Sequence, residues 1–475
     1  MEHQRNELAE AVQLDEHGIG QIPAADRTST PSQQFWIWAG ANIAPINWIL
    51  GALGIILGLS VVETLLVLVV GNLVGCAIFG AFCVMGKRTG VNQMVLSRAA
   101  FGRRGAYLPA AAQLVMTMGW LGVNTWVVLD LVLGIFKHMG YDHPGMGTKY
   151  AVGIGIMAVQ CLIAIVGFYL IQSFEKYTVP VAAVIVVVMT ILAWSKVTIV
   201  WGHSTAHGSD KLTAVTQLLT AIGVGWGITW LTWSSDYTRF IKPSVSDKKV
   251  FWTTASAIFI PTVWLGLLGA TIASAGVSRD PADFVTAAFG AFSIPVLFLV
   301  MHGPVATNIL NLYSATLAAL SLDLKLARWK VSVVVSIVGT GVLIWFIQSG
   351  SWANRFDQWL SSVVLWISAW AGVMVVDYFL FRRRKIDVDA LYASPETSIY
   401  GDVNWAAVIA MLSGLVAGWA WGYGLVPALQ GPIAKATHNV DISWLTGFGV
   451  AAILYYALTP LLAKNKQPVQ APTAV

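Results

Sequence analysis

The sequence predicts an all-α integral membrane protein with twelve transmembrane helices. Its 475 residues are 57% hydrophobic and 11% charged, whereas soluble domains carry about 25% charged residues. Twelve apolar runs approach the roughly 20 residues that a helix needs to cross a bilayer. The net charge of +5 comes from residues in short loops between these runs, so it does not indicate a nucleic-acid partner. The partner that this composition predicts is the lipid bilayer.

The apolar runs divide the chain into a ten-span transport core and two additional C-terminal spans. Spans 1 to 5 are predicted at 35–57, 62–85, 107–136, 150–170 and 179–201, and spans 6 to 10 at 213–235, 251–275, 294–320, 331–346 and 359–381. Spans 11 and 12 are predicted at 405–426 and 444–462, and 281–290 is predicted to be a short helix outside the spans. The predicted regions are therefore a polar tail at 1–32, a ten-span core at 33–385, two further spans at 386–463 and a second tail at 464–475.

Basic residues orient the predicted spans. With the N-terminus placed inside, the inside segments hold 21 lysines and arginines and the outside segments hold 7. Cytoplasmic loops are enriched in these residues, so both tails are predicted to be cytoplasmic and the protein to lie in the cell membrane. The tail at 1–32 has no apolar core of a signal peptide. The three cysteines fall inside apolar runs, which favours buried small side chains over a disulfide framework.

Spans 1 and 6 contain residues that interrupt a helix. Span 6 has Gly225-Trp226-Gly227-Ile228-Thr229-Trp230 near its centre, and span 1 has Trp38-Ala39-Gly40-Ala41-Asn42-Ile43-Ala44-Pro45. Glycine weakens a helix and proline removes a backbone donor. These two spans occupy corresponding positions in two five-helix halves. Such a pair of interrupted spans predicts a secondary transporter whose site lies at mid-depth.

Polar and aromatic side chains near the middle of four spans form the predicted site. The predicted substrate-binding residues are Asn42, Trp120, Asn124, Trp226, Thr229, Asn308 and Asn311. Indole faces stack on planar rings, and amides offer a donor beside an acceptor. No arginine or lysine shares this depth, which favours an uncharged heterocycle over a phosphate or a carboxylate. Helix packing remains an equal alternative for any single asparagine; Trp230 and Trp233 are interpreted as packing, and His302 as a hydrogen-bonded core histidine.

Five stretches carry a resemblance to a known family. They are Trp38-Ala39-Gly40-Ala41-Asn42, Ser97-Arg98-Ala99-Ala100-Phe101-Gly102, Gly119-Trp120-Leu121-Gly122-Val123-Asn124, Ser235-Asp236-Tyr237-Thr238-Arg239-Phe240 and Ala306-Thr307-Asn308-Ile309-Leu310-Asn311-Leu312-Tyr313-Ser314. In these stretches and in their order the chain resembles the nucleobase–cation symporter-1 family of purine–cytosine permeases and hydantoin and allantoin transporters.

The resemblance implies a five-plus-five inverted repeat of the leucine-transporter type with two extra C-terminal spans. It implies alternating access driven by Na⁺ or H⁺, with Trp120 stacking on the base, Asn124 bonding its edge and Trp226 as a second aromatic. A sodium site in this family would correspond to Ala41, Ala44, Gly303, Ala306 and Thr307. Ala306 stands where the family often has a hydroxyl, so proton coupling remains open.

The resulting hypothesis is a symporter that imports a nucleobase, cytosine or a purine, with no cofactor beyond the coupling ion. Alternatives within transport are hydantoin, allantoin, uracil or a vitamin. Alternatives of another class are a channel, which the lack of charged rings disfavours, and a membrane sensor that binds without transport. A membrane enzyme would need a paired acid, base or metal set at this depth, and the sequence has none. The oligomeric state is open, and a monomer is compatible with the sequence.

Overall fold

The computed structural model describes residues 17–141, 143–276, 285–286, 290, 293–349, 352–423 and 429–463. Across these residues the chain is helical, apart from turns, loops and one isolated bridge between Ser29 and Ile241. Ten described helices are long and apolar enough to cross a membrane, and one bent pair of helices makes an eleventh crossing. A shorter apolar helix, Trp405–Ala420, occupies the position of span 11. The predicted all-helical membrane fold is confirmed.

The described helices follow the predicted order of spans. Spans 2 to 6 are Val61–Thr89, Tyr107–His138, Met146–Val166, Phe168–Lys196 and Gly208–Thr238. Spans 7 to 9 are Asp247–Ser274, Ser293–Leu320 and Arg328–Ser349, and span 10 extends from Trp352 to Phe381. Spans 11 and 12 are Trp405–Ala420 and Ser443–Ala463. Most of the short helix predicted at 281–290, the first half of the first tail and the whole second tail lie outside the described residues.

Span 1 is broken into helix 1a, Pro31–Asn42, and helix 1b, Pro45–Ile56, which meet at a bend of 55°. Thr30 starts helix 1a with a capping box, in which its hydroxyl accepts from the backbone N–H of Gln33. Pro45 stands in the first turn of helix 1b, where its missing N–H has no helical partner to lose. The residue before it, Ala44, is extended at φ −135° and ψ 147°, because the proline ring disfavours a helical residue there. The predicted break in span 1 is thus confirmed, and local sequence accounts for it.

Span 6 departs from an α-helix without unwinding. A π-helical turn covers Leu219–Gly223 and a 3-10 turn covers Trp230–Trp233, on either side of the α-helical Val224–Thr229. A Cβ at Gly225 would lie 1.6 Å from the Thr220 carbonyl oxygen, so only glycine fits beside the wide turn. The predicted interruption therefore takes the form of two non-α turns in one continuous span. The inverted-repeat relation between the two halves stays a prediction.

Span 5 begins earlier than predicted. It was expected at 179–201 and lies at Phe168–Lys196, following directly on Gly167, whose φ of 111° ends span 4. Gln172, Glu175 and Lys176 made this segment look like a loop in sequence. They are helical because helix 1a packs against this face and buries Glu175. Lys176 therefore belongs to a span and not to a connecting loop.

Close packing sets the distance between spans 2 and 6. A Cβ at Gly227 would lie 2.2 Å from the Gly75 carbonyl carbon, so the two backbones touch without side chains between them. Spans 11 and 12 pack on each other and on span 10. The spans that converge at mid-depth are therefore 1, 3, 6 and 8, and the last two spans lie at the periphery.

Candidate substrate and cation site

A small cavity lies where spans 1, 3, 6 and 8 meet. Its volume is about 20 Å³, room for roughly one water molecule. The lining residues are Ala41, Ile46, Trp120, Asn124, Trp226, Thr229, Trp230, Trp233, Thr307 and Asn311. None of these side chains is charged. A nucleobase is larger than this space, so the cavity walls must separate to admit one.

Tryptophan rings form much of the cavity wall. The ring centroids of Trp120 and Trp226 are 6.4 Å apart with an interplanar angle of 86°, and those of Trp230 and Trp233 are 5.5 Å apart at 59°. Asn124 lies one turn beyond Trp120 and donates to the Trp120 carbonyl oxygen at 3.1 Å. Its amide oxygen and second amide hydrogen remain for a ligand. Of the predicted substrate residues, Trp120, Asn124, Trp226, Thr229 and Asn311 line the cavity.

Asn42 lies behind this wall. Its amide oxygen accepts from the Trp226 indole Nε1 at 2.8 Å, and its amide nitrogen donates to the Trp38 carbonyl at 2.8 Å. The side chain is fully buried and does not line the cavity. Asn42 therefore orients the Trp226 ring, and it links span 6 to the break in span 1.

Asn308 is also placed behind the cavity. Its amide nitrogen lies within hydrogen-bond distance of the Leu121 carbonyl at 3.0 Å, the Thr125 hydroxyl at 2.9 Å and the Gln160 side-chain oxygen at 3.2 Å. Its oxygen accepts from Asn311 at 3.4 Å. Asn308 thus braces span 8 against spans 3 and 4, and Asn311 is the member of the pair that faces the cavity.

The predicted cation ligands cluster around Thr307. The Thr307 hydroxyl lies 2.8 Å from the Ala41 carbonyl oxygen and 2.9 Å from the Gly303 carbonyl oxygen. Gly303 packs on the break in span 1, where a Cβ would lie 2.1 Å from the Ile43 carbonyl oxygen and 2.7 Å from Ala44 Cα. Ala306 precedes Thr307 and is fully buried. A hard cation would find carbonyl and hydroxyl oxygens together here, which is the ligand type that it prefers.

Three cavity residues were not among the predicted substrate or cation residues. Ile46 belongs to helix 1b, and Trp230 and Trp233 were interpreted as packing. Trp226, Trp230 and Trp233 recur at helical spacing, so the sequence already placed them on one face. The Nε1 atoms of Trp230 and Trp233 are buried without a hydrogen-bond partner in the described part of the chain. Both atoms belong to side chains that line the cavity.

Comparisons with known proteins agree on one family. The family model described as permease for cytosine/purines, uracil, thiamine, allantoin matches residues 21–447. A Bacillus subtilis protein described as a candidate purine-cytosine permease is 24% identical over 468 residues, covering 96% of this chain and 98% of that protein. A purine-cytosine permease of Emericella nidulans is 24% identical over 487 residues, covering 96% of this chain and 90% of that protein.

A solved structure shows the same fold. It is that of Mhp1, a nucleobase-cation-symport-1 family transporter in a closed conformation with bromovinylhydantoin bound. The TM-score is 0.76 at 21% identity, and the match covers 94% of this chain and 96% of that one. At this identity the likeness concerns the fold.

Proposed function

This chain belongs to the family of permeases for cytosine/purines, uracil, thiamine and allantoin, and we propose that it imports cytosine or a purine together with Na⁺ or H⁺. Membership makes it a multi-pass membrane transporter and not an enzyme. The proposal places it in the cell membrane with both termini in the cytoplasm. Three parts of the proposal go beyond family membership: which base is imported, which ion drives uptake and how the chain is oriented in the membrane.

The observation that carries the substrate proposal is the make-up of the cavity wall. Indole rings line it beside two amides, Asn124 and Asn311, and no lining side chain is charged. A flat, neutral heterocycle offers a face to the rings and a donor–acceptor edge to the amides. The free Nε1 donors of Trp230 and Trp233 favour a substrate that also carries ring nitrogens or carbonyl oxygens as acceptors.

Contacts between the two predicted subsites support coupling. Thr307 and Asn311 lie one turn apart on span 8, so the residue among the predicted cation oxygens and the residue in the cavity move together. Asn42, next to Ala41, bonds the cavity residue Trp226. An ion that fixes the break in span 1 therefore also fixes the substrate wall. Such shared elements let ion and substrate favour the same closed state.

Binding and exchange measurements test the proposal. Purified protein is heated with cytosine, adenine, hypoxanthine, uracil, hydantoin, allantoin or thiamine, because ligands of the native state raise the apparent Tm. The base that binds is then measured in liposomes by counterflow, the exchange of external labelled base for internal unlabelled base. We expect a Tm shift with cytosine or a purine and saturable counterflow.

Other outcomes assign other functions. A shift only with hydantoin, allantoin, uracil or thiamine changes the substrate. Binding without counterflow indicates a sensor, and flux that does not saturate indicates a channel. If no heterocycle shifts the Tm, the substrate class is wrong.

A further inference from the structure

A carboxyl group is buried inside span 5. Glu175 lies in the third turn of this helix, and its side chain is fully buried. Neither carboxyl oxygen has a hydrogen-bond partner among the residues that the structure describes. Ionisable residues inside a membrane are costly and mark ion or proton pathways more often than packing sites. Neither the cavity nor the Thr307 cluster includes Glu175.

The Glu175 carboxyl lies against the backbone of helix 1a. A Cβ at Gly40 would lie 2.2 Å from Glu175 Oε2, so the carboxyl rests directly against the backbone at Gly40. Helix 1a is the part of span 1 before the break, and Ala41 follows Gly40 directly. The contact therefore connects Glu175 to the element whose movement the 55° break permits.

His302 is the titratable group that faces Glu175. Its Nε2 atom is 3.7 Å from Glu175 Oε2 and 2.6 Å from the Thr178 hydroxyl, and its ring stacks on Phe174. Helix 1a and the Ser293–Val300 helix contain no titratable side chain. Tyr313 of span 8 packs on Tyr237. On span 5 itself, Lys176 lies 5.1 Å over the Tyr177 ring, and Tyr177 is exposed.

The remaining helices packed on span 5 present titratable groups elsewhere. Span 4 carries Lys149 and Tyr150 in its first turns and Cys161, whose Sγ is 4.0 Å from the Ser332 carbonyl oxygen. Span 7 carries Asp247, Lys248 and Lys249 in its first turn, where Asp247 pairs with Lys87 at 3.0 Å. Among the described side chains, no arginine or lysine forms an ion pair with Glu175. A carboxylate there would be desolvated without a fixed counter-charge, and a bound proton removes that cost.

The Thr307 cluster and the Glu175 carboxyl differ in the hydrogen-bond partners that they have. The Thr307 hydroxyl lies within hydrogen-bond distance of the Ala41 and Gly303 carbonyls and already donates its one hydrogen within this cluster. The Glu175 carboxyl oxygens have no hydrogen-bond donor in the described structure. Of the Thr307 cluster and Glu175, it is therefore Glu175 that still needs a positively charged ligand. A proton on its carboxyl meets this need beside helix 1a.

We propose that Glu175 binds the proton that drives uptake and releases it when helix 1a moves away from span 5. The protonated carboxyl loses its proton to water at the cytoplasmic side while helix 1a is away, and the carboxylate takes up a proton from the outer side after helix 1a has packed back and closed the cytoplasmic side. Each cycle thus carries one proton inward with no other bond made or broken. This inference rests on the proposed symport and selects its ion.

Glu175→Gln tests the proposal, because glutamine keeps the shape of the protonated carboxyl and cannot release a proton. Full-length protein in liposomes is given labelled cytosine, and labelled adenine in parallel, under an imposed gradient with acid outside. We expect wild type to accumulate the base and Glu175→Gln to accumulate at least tenfold less. Counterflow of the same base, which needs no ion gradient, should stay within about twofold of wild type.

Glu63→Gln is the matched control, since Glu63 belongs to the capping box at the start of span 2 and pairs with Lys211, not with any group that contacts Glu175. It should keep both accumulation and counterflow. A pH-sensitive dye inside the liposomes gives a readout that does not depend on any variant's folding. Adding the nucleobase, cytosine or adenine, outside wild-type liposomes should make the interior more acidic.

Three results would overturn the proposal. The first is gradient-driven accumulation by Glu175→Gln at the wild-type level. The second is either wild-type counterflow with no interior acidification or accumulation that follows a Na⁺ gradient alone. Both remove the proton from Glu175, and Na⁺-driven accumulation leaves the symport itself intact. The third is the absence of wild-type counterflow with any base tested, in which case the proposed function fails and this inference fails with it.

Discussion

The cavity and the charged layer near the predicted cytoplasmic ends of the spans differ in how their polar groups are paired. The cavity is buried, whereas the charged layer buries Arg98 and Arg239 and leaves Arg103, Tyr107 and Asp323 partly exposed. The charged layer comprises Arg98, Arg103, Tyr107, Arg239 and Asp323. Arg98, with a side chain 2% exposed, donates to Asp323 at 3.0 Å and to the Ser321 and Leu391 carbonyls at 3.2 Å each. In the cavity, by contrast, the Nε1 atoms of Trp230 and Trp233 lie without a partner in the described structure.

The charged layer joins segments that are distant in sequence. Arg239, which ends span 6, donates to the Gly18 carbonyl at 2.9 Å and to the Tyr313 hydroxyl at 2.8 Å. Asp323 accepts from Arg103 at 3.1 Å and from Tyr107 at 2.6 Å. Filled hydrogen bonds hold elements together, and unfilled ones are available to a ligand. The difference separates a region whose hydrogen bonds stabilise the fold from a region proposed to bind the substrate.

The largest expected effect is in the charged layer. Asp323→Ala leaves the buried Arg98 guanidinium without its carboxylate, and breaking such a pair costs about 3 kcal/mol of unfolding free energy. Thermal unfolding followed by tryptophan fluorescence should show a clear fall in Tm, with base affinity unchanged. Asp210→Ala is the control, because Asp210 is exposed at the start of span 6. Equal Tm shifts for the two variants would mean that the charged layer does not stabilise the fold.

The next largest effect concerns the cavity. It should appear in the affinity for the base and not in the stability of the fold. Trp120→Ala removes a stacking face, worth about 1–3 kcal/mol for a base, so the Kd for the base should rise by roughly 5- to 150-fold. Calorimetry measures the Kd, and size-exclusion chromatography checks the fold. Trp252→Ala should leave the Kd unchanged, since Trp252 is 61% exposed on span 7. An unaltered Kd for Trp120→Ala would remove Trp120 from the site.

A substitution with a smaller expected effect distinguishes the stacking role of Trp226 from its role in coupling ion binding to base binding. Trp226→Phe keeps an aromatic ring and deletes the 2.8 Å hydrogen bond to Asn42, a net loss of about 1 kcal/mol. Base affinity under saturating ion should fall only by about fivefold. The factor by which the ion strengthens base binding should fall towards one. If that factor stays at the wild-type value, the Asn42–Trp226 bond does not connect the two subsites.

The smallest effect is the pH dependence of the charged layer. Burial raises the pKa of Asp323, but hydrogen bonds from Arg103 and Tyr107 and the charges of Arg98 and Arg103 outweigh it, so the pKa lies below its ordinary value of 3.8. A lowered pKa means that Asp323 contributes its stability fully above about pH 4 and loses it as the pH falls through the folded-state pKa. Tm measured from pH 6 down to pH 3 should therefore fall less in Asp323→Ala than in wild type. Parallel curves would contradict the assignment.

Sequence reasoning found most of the cavity because depth along a span can be read from local composition. Five of the predicted substrate residues line the cavity, namely Trp120, Asn124, Trp226, Thr229 and Asn311; their role in binding stays a prediction. The same reasoning interpreted Trp230 as packing, since a buried tryptophan in a helix looks alike in both roles. It also placed Glu175 in a loop, because a polar cluster in sequence resembles a span end until a neighbouring helix is seen to cover it.

By itself the sequence determined the membrane fold, the order of the spans and the break in span 1. Apolar length and the Ala44–Pro45 step act over a few residues, so they can be read without knowing the neighbours. Only the tertiary structure decided which polar groups face the cavity and which support it. Asn42 is engaged by Trp226, 184 residues away, Asn308 by spans 3 and 4, and Glu175 is covered by Gly40. The physical reason is that hydrogen-bond satisfaction in a membrane depends on partners supplied by other helices.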